Sequence, residues 1–272
     1  VVPPGIALGP NAAINAQRTL DRLIARCRAD ADCQNAFPDL REKLEDLLES
    51  LSGNPVLVDI ADPLTGAMRE ISIGPEHLAL TLRMLSYAPE TAALIPLIIN
   101  QAAVAGDYRP IAANALRIVN ELEGAIATGM HNAVVCAEDI PFLGPIDWAA
   151  LDATYLGSTQ SQALLTICEH WPSGSVDPDI KDPLESSTPT LVLSGNEDPI
   201  TPPESGRLVL DSLSQSLHIV GAGQGHGIFN RGCLPRLINQ FVETTNLSEL
   251  DTRCVDRLQP TPFFLDTLGP AP

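Results

Sequence analysis

Two short apolar segments in the second half of the chain constrain its fold more than any other feature. TPTLVLSG spans residues 188–195 and SLHIVG spans residues 216–221, and each has the length of a buried strand. The residues between them, 202–214, have the length and pattern of a helix, and an amphipathic helix follows at 234–243. Because strand, helix and strand in this order form a right-handed crossover, the two strands are predicted to lie parallel in one sheet of an α/β fold.

The first half of the chain is predicted to be mainly helical. Apolar residues recur at helical spacing, and helices are expected to begin near Asn11, Pro38, Pro75, Pro89 and Pro110. Pro96 is expected to kink or split the fourth of these helices. Between Pro55 and Ile73 the apolar period changes to two, which is typical of a small β-hairpin.

The character of the sequence changes near residue 130. The expected domains are a mainly helical region, 1–130, and an α/β region, 131–272. HNAVVC, at 131–136, is a short apolar run bounded by polar residues and is also expected to be extended. The proline-rich tail, 259–272, is expected to be loosely held.

Charge and hydropathy exclude several classes of protein. The chain has 34 acidic and 16 basic residues, a net charge of −18, so a nucleic-acid partner is not expected. Apolar residues make up 44%, which excludes a disordered acidic tail. The longest apolar stretch, 92–105, is shorter than the roughly 20 residues that a membrane span needs. The opening VVPPG has no signal-peptide pattern and resembles the middle of a longer sequence.

Six cysteines indicate the compartment. The simplest of the 15 connectivities pairs sequence neighbours, which gives Cys27–Cys33, Cys136–Cys168 and Cys233–Cys254. Three disulfides imply a secreted or periplasmic protein, whereas six buried free thiols are the alternative, typical of the cytosol. There is no C-x-x-C, and no histidine sits beside a cysteine, so neither a zinc site nor another cofactor is expected.

The loops after the two predicted strands carry the candidate chemistry. Asp198 lies in SGNEDPITPP directly after the first strand, and His226 lies between two glycines in GAGQGHGIFNRGC after the second. Ligands of open α/β sheets bind at this carboxyl edge. Asp198 is therefore a candidate acid and His226 a candidate base, although each alone is compatible with an ordinary turn or surface residue.

A second acidic candidate follows Cys136. Glu138 and Asp139 are either a solvated turn or a counter-charge for a substrate ammonium group. His218 lies within the second predicted strand and is expected to be structural.

Several segments together point to a known family. TLVLSGNEDPITPP with GQGHGIFNRGC resembles the C-terminal part of tripeptidyl/prolyl aminopeptidase-like α/β-hydrolases, and CRADADCQNAFPDL and PFLG are further points of likeness. The opening VVPPG and the helical segment up to about residue 126 resemble the lid that is inserted in that family. The resemblance also implies Asp198 and His226 as two members of a Ser-His-Asp triad that cleaves peptide, amide or ester bonds. In that family an acidic residue meets the substrate amine, and Glu138 is the position expected here.

One part of the family pattern is absent from the sequence. No serine or cysteine has glycine two residues before and two residues after it, so there is no G-x-S-x-G nucleophile elbow. Losing the nucleophile of a serine protease costs about 10⁶ in kcat, so this chain alone is expected to be nearly inactive. The expected partner is an N-terminal hydrolase half that carries the serine, or a second copy of the chain.

Two other functions stay open from the sequence. The first is a catalytically inactive binding or interaction module derived from such a hydrolase. The second is an independent helical protein with a small α/β appendage.

Overall fold

The computed structural model describes residues 8–172 and 174–270, so VVPPG lies outside the described residues. Two compact units are present. Unit 1 comprises the described residues up to Thr19 together with Thr128–Pro260, and unit 2 comprises Leu20–Ala127 and the residues from Thr261 onward. The lid assignment of residues 1–130 stays a prediction.

Unit 2 is built from helices and one antiparallel pair of strands. In chain order the elements are α1 (Leu8–Ala29), whose first turns belong to unit 1, α2 (Ala31–Ala36), α3 (Leu40–Gly53), β1 (Val56–Ala61), β2 (Met68–Ile73), α4 (Pro75–Leu85), α5 (Pro89–Ala92), α6 (Ile95–Ala105) and α7 (Arg109–Ala125). Val56 pairs with Ile73 and Ala61 with Met68. The helix expected to begin near Pro89 is split into α5 and α6, as predicted from Pro96, which occupies the first turn of α6.

Residues 261–264 of the proline-rich tail are better held than its composition suggests. Phe263 is buried, and the Arg26 guanidinium lies 4.0 Å from its ring centroid. Arg26 also donates to the Thr261 carbonyl at 3.1 Å, and the Phe264 amide donates to the Ala93 carbonyl at 3.2 Å. These contacts involve residues far away in sequence, so local composition does not reveal them.

Unit 1 contains the α/β part of the chain. Its further elements are α8 (Thr128–Glu138), α9 (Trp148–Asp152), α10 (Thr159–His170), β3 (Thr190–Gly195), α11 (Pro203–Leu210), β4 (Ser216–Gly221) and α12 (Leu234–Thr244), followed by a 3₁₀ segment, Thr252–Arg257. The expectation of an extended HNAVVC run is wrong, since 131–136 lie within α8. Its buried residues Asn132, Val135 and Cys136 have helical spacing, and a run this short does not separate strand from helix by period.

The strand pair β3–β4 places the candidate site. The strands are parallel, with Thr190 opposite Ser216 and Gly195 opposite Gly221, and α11 connects them. One face contributes to a hydrophobic core cluster formed by Ile219 of β4 with Ile228, Leu234, Leu237 and Val255. The mixed helix and strand content agrees with the predicted α/β class.

Three disulfides are present: Cys27–Cys33, Cys136–Cys168 and Cys233–Cys254. These are the pairs that neighbour pairing predicts. Within the part of the chain that the structure describes, no helix is long and apolar enough to cross a membrane. In the same residues, no group of three or more His, Cys, Asp or Glu side chains is arranged to hold a metal ion.

Candidate active site

Asp198 and His226 meet at the carboxyl edge of the β3–β4 pair. Asp198 lies three residues beyond the end of β3, and His226 lies five residues beyond the end of β4. Because the strands are parallel and in register, both loops leave the sheet at the same edge. His226 Nδ1 lies 2.9 Å from Asp198 Oδ2 and 3.2 Å from Oδ1. The structure thus brings together the two residues that the sequence singled out.

The Asp198 carboxylate is buried, and both of its oxygens accept hydrogen bonds. Oδ1 accepts from the backbone amides of Ile200 and Thr201, each at 2.8 Å, and Oδ2 accepts from Thr201 Oγ1 at 2.9 Å. Burial alone raises the pKa of a carboxyl, but the hydrogen bonds from His226, Thr201 and Ile200 outweigh it, so the pKa of Asp198 lies below its usual value. Asp198 is therefore held as an anion at neutral pH.

The His226 ring is oriented by that anion. Nδ1 faces the carboxylate, which favours the tautomer with its proton on Nδ1 and its acceptor lone pair on Nε2. The His226 side chain is 41% exposed, whereas that of Asp198 is 4% exposed. Gly227, the next residue, has φ +78°, a left-handed conformation that glycine adopts without strain. A buried anion behind an accessible imidazole is the arrangement that a general base needs.

The acid loop and the base loop pack closely against each other. The Glu197 amide donates to the Gln224 carbonyl at 2.9 Å, and the Gly223 amide donates to Asn196 Oδ1 at 2.7 Å. A Cβ placed on Gly195 would lie 2.1 Å from the Gly225 carbonyl oxygen, so only glycine permits this approach. The spacing of Asp198 and His226 is therefore built into the backbone of both loops.

Sequence reasoning missed the residues that support this pair. Thr201 was detectable, because Asp followed three residues later by Thr is a pattern of local side-chain-to-backbone bonding. Asn196 and Gln224 gave no such indication, because their partners lie far along the chain. No sequence pattern indicated Asn15 of α1 either. Its Nδ2 donates to the Ile200 carbonyl at 3.0 Å, and the two residues are 185 positions apart.

Glu138 and Asp139 take no part in the Asp198–His226 hydrogen bond. Glu138 is the last residue of α8 and is half-buried. Among the described residues its carboxylate has no hydrogen-bond or ion-pair partner. Asp139 is paired with Lys181 Nζ at 2.8 Å, and both of these side chains are largely buried. Asp139 therefore already has a cationic partner, in contrast to Glu138.

Two serines that sit near histidine or acid have structural partners. Ser194 is buried in β3, and its Oγ lies 2.9 Å from His218 Nε2. Burial, aided by the positive charge of Arg207, lowers the pKa of His218, which favours the neutral ring within the strand. Ser158 is also buried, and its hydroxyl donates to Asp152 Oδ1 at 2.5 Å.

Comparison with known proteins identifies the segment that carries the pair. A family model described as TAP-like protein, one of the α/β-hydrolase models, matches residues 153–254. The matched segment contains both strands, both loops and therefore Asp198 and His226. A search of curated proteins finds no match. The C-terminal part of this chain is thus similar to TAP-like α/β-hydrolases, which agrees with the resemblance found in its sequence.

Proposed function

We propose that this chain is the C-terminal portion of a secreted or periplasmic serine hydrolase, aminopeptidase-like, that cleaves peptide, amide or ester bonds. The observation that carries the proposal is the 2.9 Å contact between His226 Nδ1 and the buried Asp198 carboxylate, at the carboxyl edge of a parallel strand pair. The TAP-like match over the same residues supports the reaction class. The three disulfides support an oxidising compartment.

In this mechanism His226 moves the proton and Asp198 fixes the ring. Nε2 accepts a proton from the serine hydroxyl as its oxygen attacks the substrate carbonyl carbon, and then returns that proton to the leaving amine or alcohol. The imidazolium formed in between is stabilised by the Asp198 anion, which does not itself take the proton. The bonds that hold Asp198 ionised therefore act on the transition state through His226.

The serine must come from outside this chain, because its 272 residues contain no G-x-S-x-G. We assign it to an N-terminal hydrolase portion, present as a separate or cleaved polypeptide or as an upstream part of the same gene product. The C-terminal chain then supplies the acid, the base and, in residues 1–130, the lid. Self-association is the alternative way for the chain to cover its incomplete sheet.

Glu138 is the proposed partner for a substrate ammonium group. Its carboxylate is half-buried at the end of α8, while its neighbour Asp139 is already neutralised by Lys181. An anion in this state gains from pairing with a cation. This role belongs to aminopeptidase activity alone, so Glu138→Gln should weaken cleavage of free-amine substrates and leave simple esters unaffected.

Fluorophosphonate labelling of the natural protein, separated by intact mass, tests the proposal. We expect a labelled companion polypeptide, or a labelled longer chain that includes these residues. Asp198→Asn should slow the labelling by about 10⁴, the effect of losing the correct histidine tautomer in a serine protease. A single unlabelled 28.9 kDa species would contradict the hydrolase and support a non-catalytic binding module, which the missing elbow also favours.

A further inference from the structure

The base loop, residues 222–233, is held by a segment near the end of unit 1 as well as by the acid loop. The Gln224 side chain is 5% exposed, and its Nε2 donates to the Gln259 carbonyl and the Ala222 carbonyl, each at 3.1 Å. One buried amide thus joins the base loop to a residue 35 positions further along. Gln224 lies two residues before His226, so displacing it displaces the ring.

The glycines of the base loop press against the same segment. A Cβ on Gly223, which has φ +66°, would lie 2.2 Å from the Pro260 nitrogen. A Cβ on Gly232, at φ +49°, would lie 2.7 Å from a methyl of Leu258. At Gly223 the backbone of the base loop therefore approaches the Pro260 backbone too closely for a side chain, and at Gly232 it contacts the end of the Leu258 side chain.

A disulfide closes this arrangement. Cys233 ends the base loop and Cys254 lies in the 3₁₀ segment that leads directly to residue 258. Both of these cysteines are partly exposed, whereas Cys27 and Cys33 are 1% and 0% exposed. Of the bridges in the described chain, Cys233–Cys254 is the one whose two cysteines are both accessible, and it is also the one attached to the base loop.

We propose that residues 258–260 form a clasp, closed by the Gln224 amide and the Cys233–Cys254 disulfide, that positions His226 against Asp198. Gln224 and the two cysteines are positioning residues, because they act through the backbone of the base loop and not on the substrate. The proposal rests on the role of His226 in the proposed function. Its consequence is that the base is correctly placed only after the chain has been oxidised.

The test measures exchange of the His226 Nδ1 proton by NMR in the full 272-residue chain labelled with ¹⁵N-histidine. Gln224→Met removes the amide donor at similar volume and without adding charge, and should speed the exchange at least about tenfold, the value of one buried hydrogen bond. Gln240→Met is the matched control, because Gln240 lies on α12 and its Nε2 also donates to a backbone carbonyl, that of Glu249. Unchanged exchange in Gln224→Met would overturn the clasp.

The disulfide part is tested by a second pair of variants. Cys233→Ser/Cys254→Ser should speed the exchange as Gln224→Met does, with unchanged far-ultraviolet circular dichroism. Cys136→Ser/Cys168→Ser removes a bridge of the same unit that is not attached to the base loop, and should leave the exchange unaltered. Equal effects of both double variants, or none from the first, would overturn the role of Cys233–Cys254.

Mild reduction of the native chain gives an independent measurement. As reductant is raised, mass mapping should find Cys233–Cys254 opened first, and the fast exchange should begin at the same concentration and reverse on reoxidation. Exchange that changes only when another bridge opens would contradict the clasp. None of these measurements needs turnover, so a failure of fluorophosphonate labelling refutes the proposed function separately.

Discussion

The loops that hold Asp198 and His226 are stabilised in different ways. The acid loop closes mainly on itself, since Asp198 accepts from the amides of Ile200 and Thr201 and from the Thr201 hydroxyl, all within three residues. The base loop depends on distant partners, namely the Asn196 side chain, residues 258–260 and Cys254. Asn15 adds a distant bond to the acid loop, through the Ile200 carbonyl.

This difference shows which of the two residues, Asp198 or His226, keeps its position when residues elsewhere in the chain are changed. A carboxylate held by its own turn keeps its position whenever that turn forms, because the entropy cost of such a short closure is small. A histidine held across 28 to 35 residues needs the whole unit to be folded. The base loop is therefore expected to respond to changes far away in the chain. Substitutions in it should lower the free energy of unfolding more than substitutions in the acid loop.

The largest effect is expected from Gly223→Ala. An alanine Cβ at this position would clash with the backbone of Pro260, and alanine would also have to adopt φ +66°. The free energy of unfolding should therefore fall by about 3 kcal/mol. Gly157→Ala is the control, because Gly157 has φ +63° in the same unit but open space around it, and should cost only about 1 kcal/mol. Urea denaturation compares them, and equal losses would mean that the Pro260 contact is unimportant.

Asp198→Asn should cause the next largest loss in the free energy of unfolding, and this loss should depend on pH. At pH 6 the variant loses charge-assisted bonds to a buried anion, worth about 2 kcal/mol of unfolding free energy. Because the pKa of Asp198 is lowered on folding, its contribution is complete above the unfolded value near 3.9 and is lost as pH falls through the folded value. The difference between wild type and variant should therefore shrink between about pH 5 and pH 3 in parallel denaturation experiments. A difference that stays constant or grows on acidification would contradict the lowered pKa.

A smaller effect is expected at Thr201, which tests the local closure of the acid loop. Thr201→Val removes the hydroxyl that donates to Asp198 Oδ2 but keeps the backbone amide bond, and should lower the unfolding free energy by about 1.5 kcal/mol. Thr201→Ser retains the hydroxyl and should lower it by less than about 0.5 kcal/mol. Thermal denaturation of both variants measures these losses, and equal losses would show that the methyl group matters as much as the hydrogen bond.

The smallest change in the free energy of unfolding is expected from a substitution outside both loops. Thr245, the capping residue directly after α12, has a left-handed conformation, φ +51°, which is strained for a β-branched residue. Thr245→Gly should raise the unfolding free energy by about 1 kcal/mol while the His226 Nδ1 proton exchanges as in wild type. Faster exchange in this variant would show that the base loop also depends on the end of α12.

Much of the fold of this chain was predictable from periodicity and proline. TPTLVLSG and SLHIVG contain the strands β3 and β4, because an apolar run followed by glycine has few other solutions. HNAVVC was assigned wrongly, because its six residues satisfy the strand pattern and the helix pattern equally and packing in unit 1 decides between them. The contacts of Phe263 and Phe264 in the tail were missed for the same reason, since Arg26 and Ala93 lie far from them in sequence.

The candidate site likewise has some features that local sequence predicts and others that depend on tertiary packing. The sequence by itself determined the Asp198 turn, the glycines around His226 and the order of the two strands, because each follows from interactions within a few residues or from the handedness of the crossover. Only the tertiary structure decided that the Asn196 side chain and residues 258–260 converge on the base loop, and that the Gln224 amide reaches the Gln259 carbonyl. A hydrogen bond between residues 27 or 35 positions apart leaves no periodic trace in the sequence, because its geometry is set by how the whole unit packs.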